Sequence, residues 1–212
     1  MRALYWFQTH PRILTYLESL SHNGVDWAIY AGASVNLLAG SRQPRDLDIV
    51  VTPAGFEIAK RLAPTKVTPR SQDPLFRCGD GVVLDFPATG ATFRLDGIDI
   101  DLMATGDARY GAHVYNPALS PLAIKNRLSM KVNGVKLYFS NPFDTMAIKS
   151  VLQRGAEHQK FDLQDIQALA QKCRLSSRYI ARRTREINLD QRAWAFLMCA
   201  DVKPIVMHSG NH

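Results

Sequence analysis

The spacing of hydrophobic and polar positions predicts strands and helices in the first two thirds of the chain, and helices alone after that. Apolar side chains recur every three to four positions in the segments that we predict as helices, which are 11–23, 32–38 and 53–62. Short apolar or alternating segments predict the strands, which are 25–30, 46–51, 82–86, 91–95, 98–103, 128–132 and 135–139. The dipeptides Asp96-Gly97 and Asn133-Gly134 favour tight turns, so the strands on either side of each are expected to form hairpins.

The second part of the chain differs in character from the first. Asn141-Pro142 opens a region in which apolar stripes have helical spacing through to about residue 200. Segment 65–80 shows neither pattern and is interpreted as a loop. We therefore expect an α/β domain over residues 1–140 and a helical region over residues 141–212. The predicted fold class is α+β, with a mixed sheet flanked by helices and followed by a C-terminal helical region.

Composition excludes several classes of protein. The chain has 212 residues, of which 46% are hydrophobic and 21% are charged, so a mainly disordered protein is excluded. The longest apolar run near the end, residues 193–200, is too short to cross a bilayer, and residues 1–11 lack the apolar core of a signal peptide. The three cysteines form no CxxC pair, which argues against a disulfide framework or a zinc ribbon. The sequence predicts a cytoplasmic protein that does not contact a membrane.

Positive charge is concentrated in one short segment. The net charge is +7, and residues 172–192 contain seven basic and two acidic residues. Arg178, Arg182 and Arg185 are spaced by four and three positions, so they would share one face of a helix. Such a face predicts a polyanionic partner such as RNA, and the alternative interpretation is a helix face that contacts only solvent.

The candidate chemistry lies in a turn and the strand that follows it. Gly32-Ala33-Ser34 is followed, after eleven intervening residues, by Asp46-Leu47-Asp48. Strand residues two apart point to the same side, so Asp46 and Asp48 would project two carboxylates from one face. Two adjacent negative charges are costly without a cation, and Mg²⁺ prefers oxygen ligands. The backbone of the turn and the Ser34 hydroxyl are suited to a phosphate at the start of a helix.

A third carboxylate is expected from the strand at 98–103, which carries Asp99 and Asp101 on one face. If this strand lies beside the strand of Asp46 and Asp48, one of the two can share a metal ion. Asp101 is preferred because apolar residues follow it and carry the strand into the core, and Asp99 is the alternative.

These residues together resemble the signature of the DNA polymerase beta-like nucleotidyltransferase superfamily. That signature has a glycine turn, an Asp-x-Asp pair and a third Asp on a neighbouring strand. The chain is most similar to the minimal nucleotidyltransferases grouped with abortive-infection toxins. This closer similarity rests on segment 42–46 before the Asp pair and on a helical set of charged residues, which are Lys149, Arg154, Lys160, Asp162 and Asp165. The resemblance covers residues 25–170, and Ala33 stands at the second glycine of the turn.

The resemblance implies an enzyme that moves a nucleoside monophosphate from an NTP to a hydroxyl acceptor. Asp46, Asp48 and Asp101 would hold two Mg²⁺ ions and form the catalytic set. The nucleotide-binding residues would be Gly32, Ser34, Arg42, Arg45, Lys149 and Lys160. The basic segment favours RNA, including a tRNA end, as the acceptor. The alternative is a non-catalytic nucleotide- or RNA-binding regulatory protein with the same fold.

Overall fold

The computed structural model describes residues 2–40, 43–70, 75–86 and 88–202. The helices in these ranges are α1 (Arg2–Gln8), α2 (Pro11–His22), α3 (Ala31–Ala39), α4 (Pro53–Leu62), α5 (Pro121–Lys125), α6 (Pro142–Leu152), α7 (Asp162–Lys172), α8 (Ser177–Ile187) and α9 (Gln191–Cys199). The strands are β1 (Trp27–Ile29), β2 (Asp46–Val51), β3 (Thr68–Arg70), β4 (Leu75–Arg77), β5 (Val83–Asp85), β6 (Ala88–Leu95), β7 (Ile98–Thr105), β8 (Ala108–Tyr110), β9 (His113–Tyr115), β10 (Leu128–Val132) and β11 (Val135–Phe139).

A mixed seven-stranded sheet forms the centre of the molecule, in the order β10-β11-β1-β2-β7-β6-β3. Strand β1 is antiparallel to β2 and parallel to β11, and β2 is parallel to β7. Strands β4, β5, β8 and β9 form a second, smaller sheet. Helices pack against the main sheet, and α6 to α9 follow its last strand. The predicted α+β class, with a mixed sheet and a C-terminal helical region, is confirmed.

Both predicted hairpins are confirmed. Strands β10 and β11 pair antiparallel around Asn133 and Gly134, and β6 and β7 pair around Asp96 and Gly97. All four turn residues have positive φ, with values of 50° and 86° in the first turn and 50° and 79° in the second. This is the geometry that Asn-Gly and Asp-Gly dipeptides adopt at low cost and that suits the twist of paired strands.

Segment 65–80, which the sequence pattern predicts as a loop, contains two short strands, so that prediction is wrong. Strand β3 lies at the edge of the main sheet, where Pro69 is tolerated, and β4 belongs to the small sheet. The sequence pattern also gives no sign of α1, α5, β8 or β9. The three-residue strands are too short to display an alternation, and their pairing partners fix them instead.

Helix α3 connects the sheet to the helical region. Its Ala33 and Leu37 belong to the apolar core that α1, α2 and α4 form with the sheet, whereas Val35 packs with Met146 of α6 and Ile166 of α7. Helix α6 is buried along its whole length. The structure therefore holds the start of α3 between the sheet and the helical region. No helix in the described ranges has the length and apolar character needed to cross a bilayer.

Candidate active site

The predicted carboxylates meet on one face of the central sheet. Strands β2 and β7 are parallel neighbours, and their register places Asp48 beside Asp101 and Asp46 beside Asp99. Adjacent strands lie about 4.8 Å apart, and residues in register project to the same side. The predicted adjacency of these two strands is confirmed, and Asp46, Asp48 and Asp101 share one face.

The two candidates for the third carboxylate have different surroundings. Asp99 is exposed, and its Oδ1 lies 3.6 Å from Nε of Arg94. Asp101 is partly buried, and its negative charge acts directly on Asp48. The structure therefore brings Asp101, the preferred candidate, against Asp48 and leaves Asp99 at the edge of the cluster.

Asp48 lies at the centre of this cluster. The pKa of its carboxyl group is raised from 3.8 to about 7, first by burial and then by the negative charges of Asp46 and Asp101. The positive charges of Lys160 and Lys149 oppose this effect. A bound cation would remove the repulsion, because it favours the ionised form of each carboxylate.

We expect Asp101→Asn to reduce turnover by at least about a hundredfold, the scale of one positioned acid, base or metal group. Asp99→Asn removes the same charge from an exposed position on the same strand and should reduce turnover much less. Steady-state kinetics of the two purified variants tests this ranking. The opposite ranking would transfer the third carboxylate to Asp99.

The turn between β1 and α3 adjoins Asp48. The backbone N–H of Tyr30 donates to the Asp48 carbonyl oxygen at 2.9 Å. Ala31 has a φ of 48°, a left-handed conformation that costs an alanine roughly 1 kcal/mol. The glycine-like position of this turn is therefore Ala31, not Ala33 as the motif suggests, since Ala33 lies inside α3 and is buried. Apart from its chain neighbours and the backbone of its own helix, no atom of the described residues lies within 4 Å of the point where a Cβ of Gly32 would stand, so a ligand can approach its backbone closely.

The start of α3 has the features of an anion site. The first backbone hydrogen bond of the helix joins Ser34 N–H to Tyr30 O at 3.1 Å, so the N–H groups of Gly32 and Ala33 precede it. The Ser34 hydroxyl is buried and has no hydrogen-bond partner among the described residues. An unpaired buried hydroxyl costs about 1–3 kcal/mol. A phosphate oxygen reaching this atom would supply the missing partner.

Lys149 forms part of a buried ion cluster. Its Nζ lies 2.7 Å from Oδ1 of Asp162 and 2.8 Å from Oδ2 of Asp165. Nε of Arg154 lies 2.9 Å from the other oxygen of Asp162. Burial raises the pKa of Asp162, but the Arg154 hydrogen bond and the charges of Lys149 and Arg154 outweigh it and hold the pKa below its usual value. The predicted phosphate contact of Lys149 would thus be made by an ammonium group that already bonds to two carboxylates.

Two of the other predicted nucleotide ligands, Lys160 and Arg45, lie near the carboxylates. Lys160 is exposed in the segment before α7, and its charge acts on Asp48. Arg45 is exposed immediately before β2. Arg42 lies outside the described residues. Lys160 is therefore the predicted cation that combines exposure with proximity to the carboxylates.

The described residues contain no group of three or more His, Cys, Asp or Glu side chains that could hold a metal ion by itself. Mg²⁺ is often bound in another way, through one or two carboxylates together with substrate phosphates and water. The carboxylates of β2 and β7 fit that second arrangement in donor chemistry and charge.

Comparisons with known proteins give likenesses in structure alone. No protein-family model matches the chain, and no curated protein matches it in sequence. The chain is similar to a solved structure from Thermotoga maritima that is provisionally named a nucleotidyltransferase, with 18% identity over 66% of this chain and 83% of that one and a TM-score of 0.48. It is also similar to an antigenic nucleotidyltransferase-like protein from Paracoccidioides brasiliensis, with 16% identity over 89% of this chain and 84% of that one and a TM-score of 0.44.

The basic segment divides into buried and exposed arginines. Arg183 is buried, with Nε 2.7 Å from Asp144 and Nη1 2.7 Å from Glu186. Arg192 pairs with Asp80 at 2.6 Å. These two arginines therefore stabilise the fold, and the sequence pattern is wrong to count them among the groups open to a polyanion. Arg178, Arg182 and Arg185 lie on α8 and are exposed, as predicted.

Proposed function

We propose that the chain is a metal-dependent nucleotidyltransferase that moves a nucleoside monophosphate from an NTP to a hydroxyl acceptor. The observation that supports it most strongly is the register of β2 and β7, which sets Asp48 beside Asp101 with Asp46 on the same face. The start of α3, with the unpaired Ser34 hydroxyl, adjoins this cluster. Few activities need three carboxylates beside a phosphate-binding helix start.

The residues fit the metal that this chemistry requires. Asp46, Asp48 and Asp101 would hold the Mg²⁺ ions through carboxylate oxygens. Burial and, after it, the negative charges of Asp46 and Asp101 raise the pKa of Asp48, and a bound cation would offset both effects. When bound, magnesium would neutralise charge on the phosphates and favour ionisation of the acceptor hydroxyl.

The residues of this chain would then act as follows. The N–H groups at the start of α3, including that of Gly32, bind the terminal phosphates, and Lys160 and Arg45 add positive charge at the mouth of the site. Asp101 accepts the proton of the acceptor hydroxyl. The acceptor oxygen forms a bond to the α-phosphorus, the bond from that phosphorus to the bridging oxygen breaks, and pyrophosphate leaves.

The test begins with nucleotide binding, measured by titration calorimetry with Mg²⁺ and with EDTA. We expect NTP binding to weaken at least about tenfold when the metal is removed, because the carboxylates then repel the triphosphate. Incubation with each α-labelled NTP, Mg²⁺ and total RNA should transfer label to a hydroxyl acceptor, and EDTA should stop the transfer.

The competing function is a non-catalytic nucleotide- or RNA-binding regulator with the same fold. Such a protein would bind nucleotide equally well with and without metal, since its positive charge alone would supply the affinity. Metal-independent binding without any transfer of label would therefore replace the proposed function with this alternative.

A further inference from the structure

A groove outside the carboxylate site lies between α5 and α8 and encloses about 470 Å³. One wall comes from both ends of the short helix α5 and the residue after it, and the other from the cap and first turns of α8. The polar and charged groups that line it are Lys125, Asn126, Ser176, Arg178, Tyr179 and Arg182. None of the described residues that line it is acidic.

The cations of the groove are left available to a ligand. Lys125, Arg178 and Arg182 are exposed and form no ion pair with any residue in the part of the chain that the structure describes. Their buried neighbour Arg183 behaves differently, because two carboxylates neutralise it. Three unneutralised positive charges around one concave surface attract an anion that carries several negative charges.

The position of Arg178 on its helix strengthens this inference. It lies in the first turn of α8, which contains no acidic residue, and Ser176 caps that turn by accepting a hydrogen bond from Tyr179 N–H at 3.3 Å. A helix start carries partial positive charge, so a cation there is unfavourable unless an anion is present. Arg182 lies one turn further along the same face, with its Cβ about 6 Å from that of Arg178. Two guanidinium groups at this spacing can each bind one of two successive phosphates of a nucleic-acid strand.

The groove is preformed because hydrogen bonds from Arg183 connect α8 to the segment before α5. Its Nη2 donates to the Ala118 carbonyl oxygen at 2.9 Å and its Nη1 to Oγ of Ser120 at 3.4 Å. Ser120 in turn caps α5 by accepting from Ala123 N–H at 3.2 Å. Tyr179, on the groove wall, donates its hydroxyl to Asp144 at 2.7 Å. Since both walls are held in place, a ligand would not have to order them on binding.

We propose that this groove binds the phosphodiester backbone of a single-stranded nucleic acid, with Lys125, Arg178 and Arg182 as the phosphate ligands. The identification of that strand as the acceptor rests on the proposed function. The groove is distinct from the carboxylate site, because none of the residues that line it belongs to the predicted catalytic or nucleotide-binding set.

Two triple variants with the same loss of charge test the proposal. The groove variant is Lys125→Ser with Arg178→Ser and Arg182→Ser. The control variant is Lys131→Ser with Lys172→Ser and Arg174→Ser, three exposed cations that do not line the groove. Binding of a fluorescein-labelled single-stranded RNA is measured by anisotropy in EDTA without NTP, at salt concentrations from about 50 to 200 mM.

We expect the groove variant to bind at least about tenfold more weakly at low salt. Its plot of log affinity against log salt should be flatter by about 2, since each lost phosphate contact on a single strand reduces the slope by about 0.7. The control variant should keep most of the wild-type slope. Equal losses in both variants would overturn the proposal in favour of a diffuse effect of net charge, and an unchanged groove variant would overturn it outright.

In the second part of the test, a polyglutamate peptide competes with the RNA for the groove. If it displaces the RNA at equal charge concentration and its own binding is lost in the groove variant, the groove is a site for acidic protein segments and the proposal is overturned. Nucleotide transfer by the wild type is assayed separately. Absence of transfer would overturn the proposed function, whereas the binding comparison in EDTA would still decide the groove.

Discussion

Asp48→Asn is expected to abolish nucleotide transfer while the protein remains folded. The substitution keeps the size of the side chain but removes the central negative charge of the cluster on β2 and β7. Without that charge the site would bind Mg²⁺ weakly, so we expect turnover to fall by at least about a thousandfold. Single-turnover assays with labelled NTP measure the loss, and near wild-type turnover would refute the assignment of Asp48 as a catalytic residue.

The same substitution should stabilise the metal-free protein in a pH-dependent way. The pKa of Asp48 is about 7 in the folded protein against an ordinary value of 3.8, so the folded state holds this proton more tightly than the unfolded state. The resulting stability is fully present below pH 4 and is lost as the pH rises through 7. Asparagine has no charge to bury, and we expect Asp48→Asn to raise the free energy of unfolding by about 2 kcal/mol at pH 8 and by little at pH 4.

Urea denaturation in EDTA at both pH values tests this, with Asp99→Asn as the matched control. Asp99 is exposed, so its substitution should change the free energy of unfolding by less than about 0.5 kcal/mol at either pH. If Asp48→Asn raised the free energy of unfolding equally at pH 4 and pH 8, ionisation of this carboxyl group would not be what destabilises the fold.

The sequence was sufficient to predict the strands that carry the site, because their signals are local. Alternation defined β2 at its observed bounds, Asp46–Val51, and the Asp-Gly and Asn-Gly dipeptides defined the two hairpins. The choice between Asp99 and Asp101 is different, since it depends on the register in which β2 pairs with β7, whose paired residues are 53 positions apart in the chain. A shift of that register by two residues would keep every side chain on its face and yet set Asp99 beside Asp48.

The buried ion pairs and the short elements could not be predicted from the sequence pattern, for physical reasons. Arg183 is indistinguishable by charge from its exposed neighbours, and its partner Asp144 lies 39 residues away. Helix α5 has only five residues, too few to show an apolar stripe, so the wall of the groove that carries Lys125 could not be predicted. The number of charges identifies a basic segment, but only the fold shows which of its arginines form ion pairs within the protein and which are exposed to a ligand.

Substitution of Lys149 tests whether this residue stabilises the fold or binds the nucleotide. Its side chain is 3% exposed and bonds to Asp162 and Asp165, so Lys149→Met would leave two carboxylates without their shared cation. Removing one partner of a buried ion pair costs about 3–5 kcal/mol, and we expect that loss in the free energy of unfolding. Lys160→Met removes the same charge from an exposed position near Asp48, and it should cost less than about 0.5 kcal/mol and weaken NTP binding instead.

The variant Lys149→Met combined with Asp165→Asn provides the internal check. Because the double variant removes one negative charge along with the positive one, it should recover a substantial part of the lost stability, as expected for groups that interact directly. Urea denaturation gives all the free energies of unfolding. If Lys149→Met leaves stability unchanged and weakens NTP binding as strongly as Lys160→Met does, Lys149 contacts the nucleotide and the ion cluster does not support the fold. If stability falls as expected, the cluster of α6 and α7 holds in place the segment that carries Lys160, and the proposed active site depends on Lys149 for the position of another cation.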